Sequence, residues 1–262
     1  MTARFRIDPA PTSEQNDLAN LPAQPEGTRR QWMGEASERP LRLVAEAFEP
    51  FDNEAIFIPE GYEENYAYPL IVWVAGPDAG EIELHRIMSQ VSTRNYMGVL
   101  FRGSDEELAA IRAPQTGHDE LLQACEQRLF QTVRRVRRMF HIHTERVFLA
   151  GFDQAGSLAL QLGLQRPEWF AGMAAFAGRL PETPQLLARF DELRGKRVFL
   201  GAGQRDRDMP VTEVTRASRL LQSAGLRVCT RTYDADHEIT RSMLTELDRW
   251  VMREIYQPAV AG

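Results

Sequence analysis

The stretch from Arg146 to Ser157 most limits what this chain can fold into. Arg146-Val147-Phe148-Leu149-Ala150 is a run of β-branched and large apolar side chains. It leads into Gly151-Phe152-Asp153-Gln154-Ala155-Gly156, whose first, fifth and sixth residues are small. Leu158, Ala159, Leu160, Leu162 and Leu164 then recur at helical spacing until Pro167. The pattern predicts a strand, a very tight turn and a helix. A turn this sharp strains its central residue, Asp153, and only small neighbours two positions away leave room for it.

The rest of the chain repeats that alternation. Pro69 to Ala75 is a continuous apolar run, as expected for a strand buried on both faces of a parallel sheet. Gly76-Pro77-Asp78-Ala79-Gly80 makes a loop before a helix over Glu81 to Val91. Further strands are expected at Tyr96–Phe101, Gly172–Phe176, Arg197–Leu200 and Leu226–Tyr233. Helices are expected at Asp119–Phe140, from near Thr183, and at Val211–Ser223 and Ile239–Ile255. Arg102 to Gly117 reads as a long connection overhanging the sheet. Leu41–Phe48 reads as an edge strand, paired antiparallel with Asn53–Ile58 through Pro50-Phe51-Asp52. About eight strands alternating with helices give an α/β chain with a doubly wound, mostly parallel sheet and sites at the C-terminal strand ends. No room exists after Phe176 for an inserted cap domain. Residues 1–40, broken by Pro9, Pro11, Pro22, Pro25 and Gly27, read as a polar N-terminal arm, and 41–262 as the folded domain.

Bulk properties narrow the function classes. At 262 residues, 43% hydrophobic and 26% charged, the chain can bury a substantial core. A net charge of −6 argues against a nucleic-acid partner. No apolar run is long enough to span a membrane, and Met1 to Gln24 holds no apolar signal core. Cys125 and Cys229 lack motif spacing and read as free thiols of a cytoplasmic protein.

From Arg42 to Ile255 the chain resembles the carboxylesterase/phospholipase (acyl-protein thioesterase-like) group of α/β-hydrolases. The turn at Asp153 resembles their nucleophile elbow, G-x-S-x-G, with aspartate for serine and Ala155 for the second glycine. Gly201-Ala-Gly-Gln-Arg-Asp206-Arg-Asp-Met-Pro210 resembles the family's acid loop, G-x-x-D-x-x-x-P. Tyr233-Asp-Ala-Asp-His237 resembles its histidine loop. The resemblance implies an α/β-hydrolase fold with Asp153, Asp206 and His237 at the nucleophile, acid and base positions. Asp208 is the second choice for the acid. Where the family has His-Gly after its third strand, this chain has Ala75-Gly76. The residue after that glycine supplies one oxyanion-hole N–H in the family; here it is Pro77, which has none. The amide of Gln154 remains as the other donor. No cofactor or metal is implied.

These departures bear on the chemistry. Ester hydrolysis of this type needs a hydroxyl that histidine can deprotonate and two donors facing the nascent oxyanion. Asp153 offers no hydroxyl, and its charge repels an oxyanion forming beside it. Two carboxylates flanking His237 favour its charged form, a poor general base. The expected function is a degenerate hydrolase without serine esterase activity, binding a small molecule or another protein chain. The alternative is an active hydrolase in which Asp153 attacks an sp³ carbon and His237 activates water against the resulting ester. That is the Asp–His–Asp arrangement of haloalkane dehalogenases and epoxide hydrolases, but their cap domain and H-G-x-P loop are absent here.

Other residues have plainer readings. Ser157 lies one turn beyond Asp153, inside the helix. His141, His143 and Glu145 have metal-ligand types but precede the strand, at the end remote from the site. Arg134, Arg135, Arg137 and Arg138 form a solvated helix face. His85 and His118 stand alone, and Asp78, Glu81 and Asp105 are solvated loop carboxylates near the site mouth.

Overall fold

The computed structural model describes residues 55–112, 118–181 and 190–256. The expected arm, the strand at 41–48 with its turn, and the helix near Thr183 lie outside them. Among the described residues the order is β1 (Ile56–Phe57), β2 (Tyr68–Ala75), α1 (Glu81–Val91), β3 (Met97–Arg102), α2 (Asp105–Arg112), α3 (His118–Met139) and β4 (Ile142–Phe152). There follow α4 (Asp153–Gln165), β5 (Gly172–Phe176), α5 (Phe190–Leu193), β6 (Arg197–Gly203), α6 (Val211–Ser223), β7 (Arg227–Tyr233) and α7 (Arg241–Tyr256).

Seven described strands form one sheet in the order β1-β3-β2-β4-β5-β6-β7. All pairings are parallel except β1 with β3. Successive residues of a strand face opposite sides of the sheet, and both sides are covered. Ile71, Trp73, Phe148, Phe176 and Phe199 face a cluster built from Leu84, Ile87 and Met88 of α1 and Leu244, Leu247 and Trp250 of α7. The opposite side of β4 and β5 packs against α4, ten of whose residues are buried. Every residue of β2 is buried, which is why its sequence is apolar without alternation.

Three expectations need correction. Among the described residues, the strand expected at Asn53–Ile58 covers Ile56–Phe57 and ends before Ile58, and it pairs with β3 through Ile56↔Val99 and Phe57↔Gly98. β4 starts at Ile142 rather than Arg146: Ile142 already pairs with Tyr68, and the register slips before Leu70↔Val147. His143 and Glu145 therefore lie within the start of that strand and His141 directly before it, instead of all three preceding it. Among the described residues of the long connection after β3, Asp105–Arg112 is helical, as α2. Its start is a reciprocal cap: Glu107 N–H donates to Ser104 Oγ (3.2 Å) and Ser104 N–H donates to Glu107 Oε2 (2.8 Å). Glu107 is buried and also takes the Arg128 guanidinium at 2.6 Å, tying α2 to α3. Residues 177–196, between β5 and β6, are too few for an inserted domain. No described helix is long and apolar enough to cross a membrane.

Burial, with Arg146 and Arg137 nearby, pushes His143 down to about 4 from its ordinary 6.5. The unfolded chain binds that proton near pH 6.5 and the folded chain only near pH 4. The contribution to stability is therefore full above pH 6.5 and is lost as pH falls through this window. His143→Asn should lose less stability than the wild type between pH 6.5 and 4 in urea titrations. Equal losses would show that His143 does not carry the acid sensitivity.

Candidate functional site

β4 passes into α4 with no residue between them, Phe152 ending the strand and Asp153 opening the helix. Asp153 adopts φ 53°, a left-handed conformation that aspartate tolerates better than most residues. The turn closes because Gly151 and Gly156 lack side chains. A Cβ on Gly151 would stand 2.8 Å from the carbonyl carbon of Ala155, and one on Gly156 would stand 2.9 Å from the oxygen of Gly151. The Asp153 side chain is 41% exposed, and its charge complements the N-terminal end of α4.

The other two expected site residues lie on adjacent loops after β6 and β7. The Asp206 side chain is fully buried and its bonding capacity is met. Oδ1 accepts N–H bonds from Asp208 (2.9 Å) and Met209 (2.8 Å), and Oδ2 faces His237 Nδ1 at 2.9 Å. A buried carboxylate with two main-chain donors on one oxygen acts as acceptor on the other. His237 Nδ1 therefore donates the proton, and Nε2 points the other way, 3.7 Å from Asp153 Oδ1. That is an ion-pair distance, too long for a hydrogen bond. The Phe152 ring packs against the imidazole with centroids 4.9 Å apart. Asp208, the second choice for the acid, is exposed and uses its N–H rather than its carboxylate to brace Asp206.

The two loops are joined main chain to main chain. Gln204 N–H donates to Tyr233 O (2.7 Å) and Arg205 N–H to Ala235 O (3.0 Å). Gly203 permits this, because a Cβ there would lie 2.4 Å from the carbonyl oxygens of Ala235 and Asp236. The Arg205 side chain adds exposed ion pairs to Asp234 and Asp236.

Gly76 and Pro77 follow the end of β2, in a turn closed by Ala79 N–H to Gly76 O (3.2 Å). β2 pairs with β4 up to Val74↔Gly151, one residue before the end of β2 and two before Asp153. Pro77 stands in the loop that follows β2 and has no N–H to offer. Gln154 follows Asp153 at the start of α4 and is partly exposed. Ser157 is buried, donates to Asp153 O (3.1 Å) and accepts from Arg179 N–H (2.8 Å), which removes it as a displaced nucleophile. His85 packs edge-on against Phe57, a structural contact away from these loops. The metal-capable atoms of Asp206, Asp208 and His237 lie within 4.8 Å of one another. An ion there would compete with the bonds that Asp206 already makes.

A family model described as phospholipase/carboxylesterase matches residues 110–254. Carboxylesterase SOBER1 of Arabidopsis thaliana is 28% identical over 113 residues, 42% of this chain and 50% of that protein. The chain spans half or less of the length of the curated relatives it matches. Among solved structures, SOBER1 covers 72% of this chain and 100% of its own at TM-score 0.57 and 19% identity. Esterase PE8 covers 77% and 98% at TM-score 0.60 and 18% identity. At such identities the structural likeness establishes the α/β-hydrolase fold.

Gly203→Ala should push the acid and histidine loops apart, at a cost of about 1–3 kcal/mol. The measurements are the denaturant midpoint and the imidazole NMR signals of His237. A variant with both unchanged would show that the close approach does not hold the pair.

Proposed function

Because the chain belongs to the phospholipase/carboxylesterase family of α/β-hydrolases, we propose that it is a member without serine esterase chemistry whose site binds a small molecule or another protein chain. One observation carries this reading: a carboxylate, Asp153 Oδ1, stands 3.7 Å from His237 Nε2 where a hydroxyl is required. The carboxylate has no proton for His237 to take, and its charge at the start of α4 claims the field that would otherwise stabilise an oxyanion. With proline at position 77, one of the two oxyanion donors is missing as well. Losing one such donor costs roughly 100- to 1,000-fold in rate. The chain is taken as cytoplasmic, with Cys125 and Cys229 as free thiols, and residues 1–40 as an arm outside the folded domain.

A second reading is favoured by the relay itself, in which Asp206 orients Nδ1 and leaves Nε2 facing Asp153. In that reading Asp153 displaces a leaving group from an alkyl carbon. His237 then deprotonates a water that attacks the carbonyl carbon of the ester, releasing the alcohol and regenerating Asp153.

An activity screen with short-chain aryl esters, haloalkanes and epoxides should be blank. Turnover that vanishes in Asp153→Asn would overturn the first reading. Under the second, His237→Gln should trap an alkyl adduct on Asp153 visible by intact mass, and no adduct with any reactive alkyl donor would count against it. Asp153→Ser should restore little esterase activity, because Pro77 still leaves one donor missing. Rescue to family-like rates would refute the oxyanion argument.

A further inference from the structure

Beyond β5 the chain makes a second left-handed turn, at Ala177, whose φ is 50°. Gly178 follows, packed so closely that a Cβ on it would lie 2.9 Å from the main chain of Gly156 and Ser157. Arg179 then donates its backbone N–H to Ser157 Oγ at 2.8 Å, and that hydroxyl donates to the carbonyl of Asp153 at 3.1 Å. Arg179 is thereby tied, one hydroxyl removed, to the tip of the β4–α4 turn. Its guanidinium reaches the neighbouring loop, where Nη2 donates to the carbonyl oxygen of Asp208, two residues past Asp206. A non-glycine residue held at positive φ is strained and persists where its surroundings over-determine it. Here the strained turn fixes where a cation stands.

That cation is exposed, and its contact among the described residues is with a neutral carbonyl rather than a carboxylate. Among the described residues, most of its N–H donors have no partner, and they form the planar fork that matches a carboxylate. Asp208, whose carbonyl Arg179 meets, has its carboxylate within 4.8 Å of the His237 and Asp206 ligand atoms, and Asp153, 41% exposed, stands 3.7 Å from His237. Asp206 itself is closed off by its own bonds. A purely anionic ligand meets repulsion from Asp153, and a purely cationic one meets it from Arg179. A molecule bearing both charges complements both.

We propose that this mouth binds a small zwitterion, its ammonium toward Asp153 and its carboxylate held by Arg179, so that Arg179 selects for the carboxylate. The proposal rests on the reading of Asp153 as a binding rather than a serine-type catalytic position. The test is an amide NMR titration of the labelled full chain with γ-aminobutyrate, against butyrate and butylamine at matched ionic strength. Saturable shifts of the Asp153, Gln154 and Arg179 amides are expected with γ-aminobutyrate, and binding weaker by about tenfold or more with either single-charge analogue. Arg179→Gln should reduce γ-aminobutyrate to the affinity of butylamine, and Asp153→Asn should reduce it to that of butyrate, each variant keeping the dispersed spectrum of the folded chain. The proposal is overturned if butylamine binds the wild type as well as γ-aminobutyrate does. It also falls if Arg179→Gln changes nothing, or if β-alanine, γ-aminobutyrate and δ-aminovalerate all give no saturable shift. Ester turnover lost in Asp153→Asn would instead remove the premise about residue 153, a separate result read from a separate assay.

Discussion

The approach of the Gly151 and Gly156 backbones, closer than any side chain allows, sets up the rest of the site. A strand can enter a helix without a connecting residue only if the chain reverses within one position. The residue at that position then points outward, away from both elements. The constraint concerns backbone volume and says nothing about a hydroxyl. The turn therefore survives with aspartate at its tip, and the left-handed backbone there suits aspartate better than most alternatives. The scaffold and the side chain it displays are separable, and this chain keeps the first with an aspartate at the tip.

Electrostatically the site divides into a closed half and an open half. Asp206 is dry, and two main-chain N–H groups together with the imidazole replace the water it lost on folding. Asp153 is wet, and its pairing with His237 across 3.7 Å is the kind of exposed contact that contributes roughly 0–1 kcal/mol. The closed half fixes geometry, whereas the open half is where solvent or a ligand decides the balance of charge. Arg179 belongs to the open half, although it is anchored through the closed backbone of the β5 turn.

Much of this was legible in the sequence, for reasons that differ by element. Strands buried on both faces announce themselves as unbroken apolar runs, so β2, β4, β5 and β6 could be read locally. The loops after them resemble the family's acid and histidine loops, and that resemblance singled out Asp206 and His237, which the structure brings to 2.9 Å. α2 escaped because its short polar stretch carries little periodicity, yet the signal was present in Ser104-Asp105-Glu106-Glu107, a reciprocal cap of serine and glutamate three residues apart. The partner of β1 and the slipped register at the start of β4 depend on contacts far along the chain, which no local pattern encodes. Arg179 escaped for a similar reason. An arginine in a loop has no distinguishing neighbours, and its importance appears only when Ser157 and Asp208 are brought beside it.

The glycine at position 203 has a consequence for how such a protein ages. By letting two loops share main-chain bonds, it makes the buried carboxylate and the imidazole part of the wall between them. Replacing His237 would strand a desolvated acid, and replacing Asp206 would orphan two main-chain donors. Both residues would thus be retained by folding alone, long after any reaction they once served had ceased. Their presence is accounted for by the fold, whatever Asp153 does.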